Sequence, residues 1–114
     1  MMEIDLEYMS EALRNNREFI LGLVSHEGWA LQYASDALKA DREVVLAAVW
    51  DNGHVLQIAD YSFRNDREVV LAAVKTDGDA LEYASEELRG DREVVLEAVK
   101  QKRDALKYAN SNGA

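Results

Sequence analysis

The residues best equipped for chemistry come in triplets. Asp41-Arg42-Glu43, Asp66-Arg67-Glu68 and Asp91-Arg92-Glu93 each set two carboxylates around a guanidinium, and Asn16-Arg17-Glu18 is a worn version of the same group. Two carboxylates do general acid/base work when their surroundings push their pKa values apart. A triplet printed repeatedly in one sequence context offers no such asymmetry, so it reads as a helix cap, a first-turn charge and salt bridging between repeats. His26 and His54 are the only imidazoles, and no His-x-x-x-His or comparable spacing makes them metal ligands. They read as partly exposed residues near helix ends. Ser10, Ser35 and Ser85 share one repeat position before a short turn and read as caps rather than nucleophiles. No glycine-rich phosphate loop is present, and the absence of cysteine removes disulfides, thiolate catalysis and Cys-based zinc sites. The expectation is therefore a chain with no catalytic residue, no metal ligand and no cofactor.

What positions these groups is a tandem repeat. Arg17, Arg42, Arg67 and Arg92 follow one another at 25 residues. Leu6, Leu31, Leu56, Leu81 and Leu106 keep the same step, with Tyr8, Tyr33, Ile58, Tyr83 and Tyr108 two places on. One fixed period over the whole length marks a repeat architecture. The fold class is all-α, a short α-solenoid of about four 25-residue helical-hairpin repeats with about nine short helices. A half repeat covers 3–15, with Ile4, Leu6, Met9 and Leu13 as its apolar stripe. Repeats follow at 16–40, 41–65, 66–90 and 91–110, and 111–114 is expected to fray. In each unit Asn16 or an Asp caps a long helix, as Asp41 does for residues 42–51. A short helix follows, at 29–35 in the first case, then a single turn at 36–39. The first long helix should end near His26, with Gly28 in the left-handed terminator position. Val44-Val45-Leu46-Ala47-Ala48-Val49 holds no polar residue, so this helix is apolar on almost every side and must be sandwiched between neighbours. Glu97 stands where the other copies carry Gly22, Ala47 and Ala72, and reads as a position with little stacked upon it.

The bulk composition bounds the function. At 114 residues and 48% hydrophobic, the chain is one domain with enough apolar mass for a core. A net charge of −9 repels phosphate backbones and excludes nucleic acid as a natural partner. No apolar stretch approaches a membrane span, and the start lacks the basic and apolar regions of a signal peptide. The expected location is the cytoplasm, or a host cell reached by a secretion route that reads no N-terminal signal.

The string Asp-Arg-Glu-Val-Val-Leu-Ala-Ala-Val-Lys-x-x-Gly-x-Ala-Leu-x-Tyr-Ala-Ser, which stands here at 66–85, resembles the repeat of a tandem helical domain family of unknown function. That family occurs in protists and in proteins of intracellular bacterial pathogens, secreted effectors among them. The resemblance covers essentially 6–109. It implies an all-helical interaction module, one that binds and restrains another effector, and it assigns no activity and no site residue.

Departures of one copy from the others supply the functional expectation. After the last valine of the long helix the copies read Ser25, Trp50, Lys75 and Lys100, so Trp50 occupies a solvated position. After the glycine they read Trp29, His54, Asp79 and Asp104. Aspartate suits an N-cap there, and on that reading Trp29 and His54 each give up a cap. His26 aligns with Asp51, Thr76 and Gln101, and Tyr61 with Glu11, Asp36 and Glu86. The predicted partner-binding residues are Trp29, Trp50, His54 and His26 on one edge of the stack, with Tyr61 as an outlying member. The leading expectation is a non-catalytic module that binds another protein, such as an effector enzyme acting on ubiquitin. The alternative is a structural block that self-associates as a homo-oligomer through the tryptophans.

Overall fold

The structure is a computed structural model, and it describes residues 6–110; the expectation of a frayed tail at 111–114 and of a contribution from Ile4 lies outside them. Every described element is helical. In chain order they are η1 (Leu6–Tyr8), α1 (Glu11–Arg14), α2 (Arg17–Val24), η2 (Gly28–Tyr33), α3 (Asp36–Lys39), α4 (Arg42–Asp51) and η3 (Gly53–Ile58). Then come η4 (Tyr61–Asn65), α5 (Arg67–Thr76), η5 (Gly78–Tyr83), α6 (Glu86–Arg89), α7 (Arg92–Gln101) and η6 (Arg103–Tyr108). The η segments are 3-10 helices. Four long α-helices and five Ala-Leu-x-Tyr segments make up the nine predicted helices, and the four single turns between them are the remainder. Each hairpin therefore pairs an α-helix with a 3-10 arm.

The caps follow the sequence. Asn16, Asp41, Asp66 and Asp91 accept from backbone N–H groups in the first turns of α2, α4, α5 and α7. Ser10, Ser35 and Ser85 accept from the N–H three residues on, at Leu13, Leu38 and Leu88. In the third unit Asp60 replaces the serine and accepts from Ser62 N, two residues on. That turn winds as the 3-10 helix η4 instead of an α turn.

The long helices bury two faces. Val44, Ala48, Val69, Ala73, Val94 and Ala98 are fully buried, whereas their counterparts in the first repeat, Phe19 and Leu23, are only partly buried. These positions face the preceding unit. Ile20, Val24, Val45, Val49, Val70 and Val74 are also fully buried, and here the last repeat is the exception, with Val95 and Val99 partly open. These positions face the following unit. The apolar run without a polar break is thus two half-faces of one helix, each covered by a different neighbour. The result is a single continuous core running along an elongated body of 48 × 28 × 17 Å.

Three links recur between units, two of them polar. Ser35 N donates to Arg14 O (2.9 Å), Asp60 N to Lys39 O (3.0 Å), Ser85 N to Arg64 O (2.7 Å) and Asn110 N to Arg89 O (2.7 Å). Arg17, Arg42 and Arg67 each clasp the cap Asp of the next unit, at 2.7, 2.9 and 2.9 Å, and reach its Glu as well. The third link is a close approach at the glycines. A Cβ on Gly28 would sit 2.6 Å from Ala48 O, and on Gly53 and Gly78 closer still to Ala73 O and Ala98 O. None of the described glycines has a positive φ. This corrects the expectation that Gly28 ends its helix in a left-handed conformation: glycine is required because the next unit's helix presses against it.

At the C-terminal end the expectation for Glu97 is also corrected. Glu97 is partly covered, its side chain 24% exposed and 3.6 Å from Lys100. The bare residues there are Leu96 and Leu106, each 61% exposed.

Candidate protein-binding edge

The C-termini of the long helices and the glycine turns line up along one edge. Between the first two units the turn is stitched by Gly28 N, which donates to Asp51 Oδ2 at 2.8 Å. Trp29 and Trp50 are the chain neighbours of those two residues, so the stitch brings their backbones side by side across the unit boundary. Trp50 is 55% exposed and Trp29 39% exposed. Lys75, the equivalent of Trp50 in the next unit, is exposed too, so the indole occupies a position whose ordinary tenant is a solvated cation. Asp51, next to Trp50 in the chain, and Glu27, two residues before Trp29, are exposed carboxylates.

His54 has a different environment. Its Nε2 lies 2.9 Å from Asp77 Oδ2, and its ring packs edge-on against Tyr83 with centroids 5.8 Å apart. Among the described residues this is the one ring–ring contact, so His54 is tied to the following unit and not to an indole. The same pair of repeat positions recurs one unit later with the carboxylate on the opposite side: Lys102 Nζ donates to Asp79 Oδ2 at 2.6 Å. That bond, foremost, holds the Lys102 ammonium above its usual pKa. One cross-repeat contact is therefore filled by His54–Asp77 and then by Asp79–Lys102. The signal for it was in the sequence as the 23-residue offset between partners, which a comparison of equivalent positions alone does not show.

The caps lie two residues earlier than the sequence suggested. Asn52 accepts from His54 N and Asp77 from Asp79 N, both at 2.9 Å. His54 thus gives up no cap, and Asp79 serves the cross-repeat pair. Trp29 does lack one, because Glu27 makes no side-chain cap bond to η2.

His26 is exposed at the end of the first long helix, where Asp51 in the next unit makes the stitch to Gly28. Tyr61 is 76% exposed and carries the Arg64 guanidinium 4.8 Å above its ring. It belongs to the turn that leads into the N-terminus of α5. The tryptophan edge lies at the helix C-termini, about 15 Å away along a ten-residue helix. The structure therefore places Trp29, Trp50, His26 and His54 along one edge and Tyr61 apart from them.

The N-terminal edge carries the arginine ladder. The guanidinium bonds from Arg17, Arg42 and Arg67 are the main reason that Asp41, Asp66 and Asp91 sit below the usual carboxylate range. Each carboxylate has the same partners in the same arrangement, which is what a structural ladder looks like. Among the described residues no three His, Asp or Glu side chains gather as a metal site, and no helix is long and apolar enough to cross a membrane.

Near-identical helical units, each covering its neighbour's apolar face, define a short α-solenoid repeat protein. The profile of a family described as "Domain of unknown function (DUF4116)" matches residues 3–39, 16–64, 41–89 and 66–112. The chain belongs to this family. Successive matches begin at 16, 41 and 66, one repeat apart, so the profile finds the same period as the fold. No curated protein and no solved structure matches the chain.

Proposed function

We propose that this solenoid is a non-catalytic module that binds another protein through the edge carrying Trp29 and Trp50. The observation that supports this reading most is Trp50 itself, 55% exposed at a repeat position where the next two units place lysine. Exposed aromatic residues with a polar surround are where binding energy concentrates. His26 and His54 flank the indoles, and Tyr61 marks a separate, lesser contact. In its sharpest form the partner is an effector enzyme, for example one acting on ubiquitin, which the edge holds or inhibits. That form draws on the resemblance of the repeats to arrays in pathogen proteins, and it places the protein in the cytoplasm or in a host cell reached without an N-terminal signal. Nucleic acid and membranes are not partners on this reading, and no cofactor is involved.

A second reading makes the same two indoles a homodimer contact, since both are exposed on one edge of the free chain. Mass in solution across a concentration series separates them: constant monomer mass excludes the homodimer. A photo-crosslinking residue placed at position 50, with the equivalent position 75 as control, then tests the edge. Capture of one protein from 50 and not from 75 supports the proposal, and equal capture removes it. Against the captured protein, Trp50→Ala should weaken binding by about 2 kcal/mol while the thermal midpoint barely moves.

A further inference from the structure

The boundaries between successive units are copies of one interface, and among the described residues the fourth unit leaves the same apolar positions partly or largely uncovered. Val95 and Val99 are partly open, and Leu96 and Leu106 are 61% exposed. Leu31, Leu56 and Leu81, which occupy the position of Leu106, are fully buried under the next unit. Judged by apolarity, this end is ready for another repeat. One residue forbids it. The position held by Gly28, Gly53 and Gly78 is held in the fourth unit by Arg103, the first residue of η6. At that position in the internal units a carbonyl of the following long helix occupies the space of a Cβ, 2.6 Å away at Gly28 and less at the other two.

We infer that Arg103 closes the C-terminal end face to a further copy of the repeat, whether one later in the chain or the first unit of a second molecule. The obstacle is the Cβ, which no rotamer change removes, set against the backbone of a helix that cannot retreat without opening the valine contacts around it. Arg92 speaks for the opposite outcome. It is the ladder arginine of the last unit, exposed, with no carboxylate partner among the described residues, and another repeat would supply one. Exposed ion pairs contribute little, however, and steric overlap with a packed backbone outweighs them. Other substitutions agree with closure. Phe19 and Leu23 enlarge the backward-facing positions that a second molecule would offer, where internal units use valine and alanine.

Three extended chains test this, each with a copy of residues 86–110 placed directly after Asn110 so that Arg103 falls at an internal boundary. One keeps Arg103, one carries Arg103→Gly and one Arg103→Ala. Hydrogen exchange in the added long helix and the thermal midpoint are the readouts. The glycine chain should protect the added helix and melt above the unextended protein. The arginine and alanine chains should leave it unprotected and melt with the parent. Protection in the arginine chain equal to that in the glycine chain overturns the inference, and so does a glycine chain that shows none. Protection in the alanine chain overturns it as well, because the obstacle is placed at the Cβ.

Discussion

Gly22 and Gly53 are the same residue type under opposite constraints. Gly22 lies within α2, where an added Cβ meets nothing within 4 Å. Its lack of a side chain leaves only the entropic penalty of glycine in a helix, so Gly22→Ala should stabilise the protein by about 0.5–1 kcal/mol. Gly53 faces Ala73 O, and a Cβ there would also press on Thr76 Oγ1 at 2.7 Å. Gly53→Ala should destabilise by roughly 3 kcal/mol, the upper part of the usual range for forced overpacking. Chemical denaturation of the two variants checks both signs at once. Equal effects would mean that the close approach at the unit boundary is not what selects glycine.

Within each long helix the first turn does two jobs with one aspartate. Asp66 accepts from Val69 N as a cap and from Arg42 as the next rung of the ladder. Asp66→Ala should therefore cost about 1 kcal/mol through the cap alone, and Arg42→Gln less than that, with an effect that fades as salt is added. The ladder also fixes a pH response. Asp41, Asp66 and Asp91 are held below the ordinary carboxylate pKa, first by their arginines, so on acidification the unfolded chain takes up these protons before the folded one does. Their contribution is complete above the ordinary value near ~4 and is lost as pH falls through the depressed values. Thermal midpoints between pH 7 and pH 2 should drop steeply only in the acid range, and the Asp41→Asn, Asp66→Asn, Asp91→Asn triple variant should show a shallower acid slope. It is at this scale that the sequence was most readable. Caps at Asn16, Asp41 and Ser35, and the span of α4, follow from residue type and period. The salt bridging between repeats was legible in the Asp-Arg-Glu triplets as well, but the contact of His54 with Asp77 was not, because these partners sit 23 residues apart and share no repeat position. Nor does a sequence distinguish a glycine wanted for its φ from one wanted for its missing Cβ, and Gly28 was misread for that reason.

In the whole molecule, stability is passed along the stack, because each unit touches only its neighbours. Interior units are covered on both faces, and the last unit on one. The aromatic edge of the candidate site became visible because internal copies give each position a local standard, and Trp50 breaks it. Whether an indole lies flat on its neighbour or stands free depends on the superhelix, which the repeat period does not encode. The same logic of position against neighbour gives a comparison with almost no chemical difference between its arms. Leu81 and Leu106 occupy one repeat position within the same Ala-Leu-x-Tyr segment, yet Leu81 is 0% exposed and Leu106 61%. Leu81→Ala truncates a fully buried side chain and leaves a cavity, at a cost of about 2–5 kcal/mol. Leu106→Ala trims a side chain that is already largely in water, at under about 1 kcal/mol. Urea unfolding of the two variants, with hydrogen exchange to show which units open first, measures the gap. Comparable losses would mean that the end face is covered in solution, and a second surface, distinct from the tryptophan edge, would then have to be found for whatever covers it.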